Sequence, residues 1–421
     1  MIPVLRDYQL DLVDRVRAAR ANGARIIVVQ AATGAGKTSW ACYVAKQALA
    51  KNSRSLFLVH RRKLVDQISS RLEEFEINHG VIMRGEHMYR EASVQVASRD
   101  TLLSRCMNNQ WIGLPQAELV FVDEAPHAAD PESEYRRILE NYPTATILLL
   151  TATPVGPDGR GLGPWAQAIE CALPTSQLVK QGFLCPVRCY APDRELHRGK
   201  AKRGIAGDLV DSWKQYAENQ PTVLFTSRVQ HSLDAVDAFK EAGIHAVHVD
   251  ADTPDHSRES AFDGIANGSV KVLCNVGIIG EGVDVPELGC CQLYCEINGR
   301  VKFIQCCGRI MRPSAGKTHG ILIDHSGAVF RHGFPDEDTE WTLEGNADEA
   351  FKEKHDKELT EAVHYCKNCE MLFKGQLGCP QCGRMPSKPP RSIFAPPPIE
   401  RTDEILPEAE RRNHEQVFSD E

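Results

Sequence analysis

The sequence predicts an α/β protein with two tandem α/β domains, each built around a parallel sheet, followed by a small cysteine-rich module. Two observations support this prediction: apolar runs alternate with helical patterns and then restart, and four of the fifteen cysteines form two CxxC pairs near residue 370. At 421 residues the chain is also too long for a single hydrophobic core.

Five short apolar runs in the first half predict buried strands. They are RIIVVQ (25–30), SLFLVH (55–60), VQVAS (94–98), LVFVD (119–123) and ATILLLTAT (145–153). Continuous apolar runs are typical of parallel strands that are covered on both faces. Between two of them Leu64, Ile68, Leu72 and Phe75 recur at helical spacing, which predicts a helix that packs on the sheet.

The pattern restarts in the second half. The runs there are TVLFTS (222–227), HAVHVD (245–250), VKVLCNV (270–276), CCQLYCEI (290–297) and HGILIDHS (319–326). The Gly/Pro-rich stretch 154–164 is expected to be a surface loop, and the join between domains is expected near 173–186. The predicted domains are therefore 1–172 and 173–335.

The composition changes after residue 335. Residues 336–361 hold 3 Lys and Arg against 11 Asp and Glu, which predicts an acidic, helical connector. Residues 362–386 form the cysteine-rich module, and the Pro-rich, acidic residues 387–421 are expected to be disordered. Because residues 1–335 hold 38 basic against 37 acidic residues, the net charge of −8 does not argue against nucleic-acid binding by the main body.

The overall composition predicts a soluble, cytoplasmic protein with no membrane partner, and a monomer is expected. The chain is 42% hydrophobic and 25% charged, and no apolar run approaches the roughly 20 residues of a membrane span. The first 22 residues are amphipathic and do not resemble a signal peptide. Eleven scattered cysteines are interpreted as buried, reduced thiols.

AATGAGKT (31–38) lies between a predicted strand and a helical pattern, which is the context of a phosphate-binding loop. Lys37 is expected to reach the β and γ phosphates of ATP, and the Thr38 hydroxyl to ligate Mg²⁺. A glycine-rich turn with a structural role is the alternative. The residues expected to contact the nucleotide are Thr33, Gly34, Ala35, Gly36, Lys37 and Thr38.

LVFVDEAPH (119–127) places two carboxylates at the carboxyl end of a predicted strand, where open parallel sheets bind ligands. Asp123 would hold Mg²⁺, usually through water, and Glu124 would polarise the attacking water. The alternative is a solvated acidic end of a strand. The phosphate-binding loop upstream on the same sheet favours the catalytic interpretation.

Further motifs follow in an order that resembles the superfamily 2 helicases of the DEAD/DEAH type, across most of residues 1–313. The resemblance implies two RecA-like domains that share one ATP site. LRDYQ (5–9) is similar to the adenine-reading segment, with Gln9 as the recognition amide and Arg6 beside it. VHRRKLVDQ (59–67) resembles motif Ia, in which His60 and Arg61 would contact the nucleic-acid strand. TATP (151–154) resembles motif III, in which Thr151 and Thr153 would couple ATP to that strand.

Three more segments carry the resemblance into the second domain. LFTSR (224–228) is similar to motif IV, with Ser227 and Arg228 near the strand, and GEGVDVPE (280–287) is similar to motif V, with Gly282 and Asp284 at the nucleotide. QCCGRIMR (305–312) fits motif VI. Its residues Gln305, Arg309 and Arg312 are expected at the ATP site, the two arginines as arginine fingers; surface salt bridges are the alternative for them.

The linking region narrows the resemblance. TATPVGPDGRGLG (151–163) and LVKQGFLCPVRCYAP (178–192) resemble the bacterial RadD-like (YejH-type) branch and its phage relatives, in which a four-cysteine element follows the second motor domain. This branch implies DNA as the partner, either single-stranded, duplex or branched. RNA remains an alternative.

Cys366, Cys369, Cys379 and Cys382 form two CxxC pairs with nine residues between them. Four thiolates at this spacing predict a structural Zn²⁺ site, and disulfides are the alternative. The adjacent His364 is not needed as a ligand. Basic residues of this zinc ribbon suit phosphates, but a protein-docking surface fits equally, so a protein partner of the ribbon or of the acidic tail is also considered: these residues are Lys367, Lys374, Arg384 and Lys388.

One motif departs from the family pattern. The chain has Pro126 at the fourth position of DEAD or DEAH, with His127 one place later. Proline offers no side-chain donor or acceptor for coupling, and His127 is either its substitute or an ordinary polar residue. The leading hypothesis is an ATPase that translocates on or unwinds DNA in repair, recombination or phage replication. The alternatives are an ATP-regulated clamp or recruitment factor and a translocase subunit of a restriction or defence system.

Overall fold

Two separate sheets organise the chain in the computed structural model. The structure describes residues 3–86, 88–109, 112–156, 159–192, 208–277, 285–345, 363–374 and 378–384. Within them, no helix is both long and apolar enough to cross a bilayer.

The first sheet is entirely parallel. Its strands are β1 (Ile26–Gln30), β2 (Ser55–Val59), β3 (Gly80–Ile82), β4 (Val94–Ser98), β5 (Leu119–Asp123), β6 (Thr146–Thr151) and β7 (Ala168–Cys171), in the order β3-β4-β2-β5-β6-β1-β7. The accompanying helices are α1 (Asp7–Ala21), α2 (Lys37–Leu49), α3 (Arg62–Glu74), α4 (Arg99–Thr101), α5 (Glu134–Leu139) and α6 (Thr175–Lys180). A π-helical segment (Leu102–Asn108) continues α4, and a 3-10 helix (Ala125–Ala128) follows β5.

Alternate residues of each strand face opposite cores, as the period of a β-strand requires. Ile27 and Val29 of β1 belong to one hydrophobic cluster, and Ile26 and Val28 belong to the other. The predicted amphipathic helix is α3, whose apolar stripe is buried against the first of these clusters. A sheet covered on both faces explains why its strands are continuous apolar runs.

The second sheet has six parallel strands and an added antiparallel hairpin. The strands are β8 (Val187–Tyr190), β9 (Thr222–Thr226), β10 (Ala246–Val249), β11 (Val272–Asn275), β12 (Cys290–Tyr294), β13 (Gly320–Asp324), β14 (His364–Tyr365) and β15 (Met371–Phe373), in the order β10-β11-β9-β12-β13-β8-β15-β14. The helices are α7 (Leu209–Tyr216), α8 (Val229–Glu241), α9 (Asp255–Ala266), α10 (Arg300–Cys307) and α11 (Ala328–His332).

The predicted fold class is confirmed: there are two tandem α/β domains with parallel sheets and a cysteine cluster near the C-terminus. Each of the ten apolar runs contains a strand. The domain boundaries remain a prediction. Around the proposed join, Leu178 of α6 and Leu184 are buried in the core of the first domain, just before β8 begins the second sheet.

The cysteine-rich module is an extension of the second sheet. β15 pairs antiparallel with β8, with Met371 opposite Tyr190 and Leu372 opposite Cys189. Cys366 and Cys379 are buried in the same cluster as Tyr190. The module is therefore built onto the edge of the second domain.

Residues 333–345, here called the return segment, connect the second domain back to the first. The buried Arg300 holds it on one side, because its Nε donates to Thr339 Oγ1 (3.0 Å) and its Nη2 to the Glu337 carbonyl (3.0 Å). On the other side the Gly163 amide donates to the Leu343 carbonyl at 2.7 Å. The described part of the predicted acidic connector, 336–345, contains no helix, and its remainder, 346–361, and the tail, 387–421, lie outside the described residues.

Candidate functional site

A cavity of about 280 Å³ lies between the two domains. Its walls include three sets of residues that the sequence singled out: the phosphate-binding loop, the carboxylates after β5, and the residues of motif VI. From these sets the cavity is lined by Thr33, Gly34, Gly36, Lys37, Thr38, Asp123, Glu124, Gln305, Arg309 and Arg312. Residues more than 260 positions apart in the chain thus meet at one site.

The phosphate-binding loop turns sharply between β1 and α2. Gly34 and Gly36 have φ values of +85° and +83°, a backbone region that favours glycine. α2 begins at Lys37, so the amides of its first turn are directed towards the cavity. The Lys37 ammonium donates to the Ala31 carbonyl at 3.0 Å. Burial lowers the pKa of Lys37, and the nearby carboxylates of Glu124 and Asp123 oppose that shift.

Three of the predicted nucleotide-binding residues, Arg6, Gln9 and Ala35, lie outside the cavity wall. Ala35 is buried, and its carbonyl accepts hydrogen bonds from Tyr8 Oη (2.6 Å) and Gln9 Nε2 (3.2 Å). The Arg6 guanidinium lies 4.3 Å from the centroid of the Phe183 ring. Phe183 follows α6, and no local pattern in the sequence predicts its contact with the adenine-reading segment.

Glu124 has a left-handed backbone conformation (φ 54°, ψ 56°), which is uncommon for a residue with a long side chain. Its amide donates to Asp123 Oδ1 at 3.0 Å, and the 3-10 helix begins at the next residue. Strained residues of this kind cluster at functional sites. The sharp turn places both carboxylates at the carboxyl edge of the sheet.

Two glycines allow the domains to approach each other closely. A Cβ atom added to Gly308 of motif VI would lie 2.9 Å from Thr33 Cβ. A Cβ added to Gly34 would lie 3.0 Å from Arg312 Cγ. The phosphate-binding loop and motif VI are therefore in van der Waals contact, and any larger residue would push them apart.

Lys317 supports motif VI from behind, a role that sequence reasoning missed. Its ammonium donates to the carbonyls of Arg312 (2.8 Å), Leu288 (2.5 Å) and Pro286 (3.3 Å). Burial lowers the pKa of Lys317 to about 8. Lys317 fixes the backbone that carries Arg312.

The cavity also includes residues that were not predicted to be functional. Leu64, Gln67 and Arg71 of α3 line it, as does Ser39 of α2. The three α3 residues recur at i, i+3 and i+7, so they occupy one face of the helix. The spacing predicts that these residues share a helix face, but it does not predict that this face borders a cavity.

Gln305 connects motif VI to motif III. Its Nε2 donates to Thr153 Oγ1 at 3.0 Å, across the two domains. Thr153 is buried, and its backbone is fixed by Thr151, whose hydroxyl donates to the Thr153 carbonyl (2.9 Å) and accepts from its amide (3.0 Å). The predicted coupling threonines thus lie against a predicted ATP-site residue.

A second interdomain cavity, of about 400 Å³, lies behind the first and shares Glu124 and Gln305 with it. Arg61, His127 and Lys302 are among its other lining residues. The two cavities therefore adjoin each other at these two side chains.

His60 and His127 contact each other, with ring centroids 4.9 Å apart. Tyr135 Oη lies 3.2 Å from His60 Nδ1 and orients that ring. Two other strand-binding candidates are elsewhere: Ser227 Oγ lies 3.2 Å from His231 Nδ1, and Arg228 is exposed at the start of α8. Gly282 and Asp284 of motif V lie outside the described residues.

The four clustered cysteines bring their sulfur atoms within 4.8 Å of one another. Three of the distances between sulfur atoms are 3.4, 3.5 and 3.7 Å. A tetrahedral site with Zn–S bonds of about 2.3 Å requires edges of about 3.8 Å, whereas a disulfide bond is about 2.05 Å long. The donor set therefore fits zinc. Lys374 of the ribbon forms an ion pair with Glu337 (2.6 Å), and Lys388 lies outside the described residues.

Two family models match the chain in the order of its two domains. Residues 2–156 match the Type III restriction enzyme, res subunit, and residues 202–314 match the helicase conserved C-terminal domain. Together with the two parallel sheets and the shared cavity, these matches define the class: the chain belongs to the superfamily 2 helicases, whose members in general hydrolyse ATP.

Within that class, the chain is similar to a 51.5 kDa protein of a Lactococcus phage (isolate 7-9). The two are 30% identical over 374 residues, which cover 85% of this chain and 77% of the phage protein. This chain is also 28% identical over 362 residues to a Saccharomyces cerevisiae protein provisionally named ATP-dependent helicase IRC3, and the match covers 77% of this chain. That match spans only 52% of the yeast protein. The predicted membership and phage relationship are confirmed.

Solved structures support the fold. The Type ISP restriction-modification enzyme LlaBIII bound to DNA gives a TM-score of 0.55 at 17% identity, covering 76% of this chain and 28% of that enzyme. S. cerevisiae Dbp5 bound to RNA and ADP BeF3 gives a TM-score of 0.55 at 16% identity, covering 83% of this chain and 96% of Dbp5. The second of these matches spans both domains, so the two domains are RecA-like.

Proposed function

We propose that the chain is an ATP-driven translocase or helicase that acts on DNA, with its single ATP site in the 280 Å³ cavity between the domains. The observation that carries the proposal is the composition of that cavity. Lys37, Asp123 and Glu124 come from the first domain, and Arg309 and Arg312 come from the second. Because the site needs residues of both domains, the state of the bound nucleotide determines how far apart the two domains lie.

The first domain binds the triphosphate. The backbone amides of the loop and of the first turn of α2 donate to phosphate oxygens, and Lys37 adds a positive charge. Burial lowers the pKa of Lys37, and the negative charge of bound phosphate opposes this shift and favours the protonated ammonium. Thr38 and Asp123 would hold Mg²⁺, which would offset charge on the phosphates. Gln9 holds the loop through the Ala35 and Gly36 carbonyls, and Gln9 and Arg6 adjoin the expected adenine position.

Hydrolysis requires residues from both domains. Glu124 orients a water molecule for attack on the γ phosphate and accepts its proton. Arg309 and Arg312 neutralise charge that develops on the transferred phosphoryl group, an effect on the order of 10³-fold or more in rate. Arg309 is only 5% exposed, which strengthens its electrostatic effect. Turnover therefore needs the closed arrangement of the domains.

Coupling to the strand runs through the residues that separate the two cavities. Gln305 contacts Thr153, and His127 contacts His60. Because neither contact uses the side chain of Pro126, this coupling does not require a polar residue at position 126. The second cavity, with Arg61 and Lys302 in its wall, is the proposed contact surface for the strand. His60, Ser227 and Arg228 are further candidates for strand contact, on the basis of the motifs alone.

DNA is preferred as the partner on the basis of similarity. The first domain matches a restriction-enzyme family, and the similar Type ISP enzyme is described as bound to DNA, although Dbp5 is described as bound to RNA. The same similarity favours a second candidate function, the translocase subunit of a restriction or defence system. Such a subunit would act with a separate nuclease.

The cysteine cluster is proposed to hold a structural Zn²⁺ ion through Cys366, Cys369, Cys379 and Cys382, because its sulfur distances fit a tetrahedral thiolate site. All four positions are taken by protein ligands, so the ion would not bind a substrate. Its role is to hold the β14–β15 hairpin on the edge of the second sheet.

Phosphate release and strand displacement, measured with single-stranded DNA, duplex DNA and RNA, test the proposal. Stimulation by DNA above RNA, with displacement or translocation, is expected. Stimulation by RNA alone contradicts the choice of DNA. ATP-dependent binding without displacement or translocation indicates a clamp. Lys37→Ala is the control and should lose turnover with every nucleic acid, because it removes the phosphate contact.

A further inference from the structure

The return segment, residues 333–345, leads from the second domain to the first. It begins just after α11 of the second domain, and at Leu343 it packs against a hydrophobic cluster of the first domain. At β14 (His364–Tyr365) the chain is again part of the second sheet. The two domains are therefore linked at this segment as well as at the join before β8.

The attachment of this segment to the second domain is buried. The Arg300 side chain, at the start of α10, is fully buried and donates to Thr339 Oγ1 and to the Glu337 carbonyl, at 3.0 Å each. The Glu337 carboxylate accepts from the Phe334 amide (3.0 Å) and pairs with Lys374 (2.6 Å). Because a buried guanidinium that loses its hydrogen bonds is costly, this end of the segment stays with the second domain.

The attachment to the first domain depends on a close backbone approach. The Gly163 amide donates to the Leu343 carbonyl at 2.7 Å, and Arg160 forms an isolated antiparallel bridge with Gly345. A Cβ atom added to Gly161 would lie only 2.0 Å from the Leu343 carbonyl oxygen. The two backbones are in contact, so any side chain at position 161 would push them apart.

Asp338 provides a second attachment to the first domain. Its carboxylate accepts hydrogen bonds from the Ser176 amide (2.9 Å) and hydroxyl (2.6 Å) at the start of α6. Pro174, which precedes α6, offers no side-chain acceptor of its own to that helix. Asp338 and Ser176 are both exposed, so water competes for their bonds. The attachments to the first domain are therefore expected to release before those of Arg300.

The two ends of this segment are attached next to the coupling motifs. On the first domain, the contacted loop directly follows motif III, and Val155 at its start forms an antiparallel bridge with Gly161 and lines the second cavity. On the second domain, α10 begins at Arg300 and carries Gln305, which contacts Thr153. The return segment thus connects the loop after motif III to the helix of motif VI, by a route separate from the Gln305–Thr153 bond.

We propose that the return segment is a strap that favours the closed arrangement of the two domains. Separation of the domains breaks the contact at Gly161 and the bonds of Asp338, while Arg300 holds the other end. The strap lies outside both interdomain cavities, so it is a positioning element and does not touch the nucleotide. The inference rests on the proposed function, because closure matters for hydrolysis only if both domains form the ATP site.

The test detaches the strap from the first domain with Gly161→Ala and, separately, with Asp338→Ala, whose exposed position does not threaten folding. Small-angle X-ray scattering of the full chain should give both variants a larger radius of gyration than the wild type without nucleotide, and ADP with beryllium fluoride should remove the difference. Loss of one hydrogen bond favours the open arrangement by about fivefold. The KM for ATP in DNA-stimulated phosphate release should therefore rise about fivefold, with kcat retained at saturating ATP.

Two matched controls should behave as the wild type. A Cβ at Gly113→Ala meets nothing within 4 Å, and Asp237→Ala removes an exposed carboxylate from α8. If either the radius of gyration or the KM is unchanged in both strap variants, the strap inference is wrong and the proposed function stands. A fall in kcat alone overturns it as well. A wild-type chain whose ATP hydrolysis no nucleic acid stimulates contradicts the proposed function, whereas the scattering comparison still decides whether the strap holds the domains together.

Discussion

The hydrogen bond from Gln305 Nε2 to Thr153 Oγ1, 3.0 Å long, joins the two domains directly between the cavities. Thr153→Val removes the acceptor and preserves the shape of the side chain, and the Thr151 contacts to the Thr153 backbone are unaffected. A neutral hydrogen bond contributes about 1 kcal/mol. If the bond forms only in the closed arrangement, nucleic-acid-stimulated kcat should fall about fivefold, while ATP affinity stays unchanged.

A double-mutant cycle isolates this bond. Steady-state phosphate release is measured for Thr153→Val, Gln305→Ala and the double variant, with the exposed Thr144→Val as the matched control. Because both single variants break the same bond, the double variant should be little slower than either, which gives a coupling energy of about 1 kcal/mol. Fully additive losses would show that the contact does not couple the domains.

Two further predictions concern supporting residues. Lys317→Met removes three partly buried hydrogen bonds to backbone carbonyls and should lower the free energy of unfolding in urea by about 2 kcal/mol, and kcat should fall because Arg312 loses its support. Since the folded-state pKa of Lys317 is about 8 and its unfolded value is about 10.4, the unfolded state binds more protons between these values. The stability of the wild type relative to Lys317→Met should therefore rise from pH 8 to pH 10, and a flat difference would contradict the burial of that ammonium. Cys366→Ser, or removal of zinc by a chelator, should lower the Tm of the second domain by about 5 °C, whereas Cys171→Ser, outside the cluster, should leave metal content at one zinc per chain. A chain that contains no zinc as purified from zinc-supplemented medium would refute the metal site.

Much of the fold was predictable, because strands of a doubly covered parallel sheet are continuous apolar runs. The missed strands lack that signal. β3 has three residues and begins at Gly80, and every residue of β7 is partly exposed. The hairpin of β14 and β15 joins the sheet through β8, about 180 positions earlier, and no local pattern reports such a pairing.

The residues of the candidate site likewise include some that the sequence predicts and some that it does not. Residues whose roles follow from local spacing, such as Lys37 in its loop and Asp123 after its strand, could be proposed from the sequence, and the structure brings them to one cavity. Lys317 and Phe183 could not, because their relevance depends on contacts with distant segments. The left-handed conformation of Glu124 is likewise a property of the turn in its tertiary setting.

The central claim is that one ATP site is assembled from both domains. The most direct measurement is ATP binding and DNA-stimulated hydrolysis by Arg309→Ala, whose side chain reaches the cavity from the second domain while the phosphate-binding loop remains intact. We expect kcat to fall on the order of 10³-fold with little change in the Kd for ATP. Hydrolysis at the wild-type rate would contradict the claim.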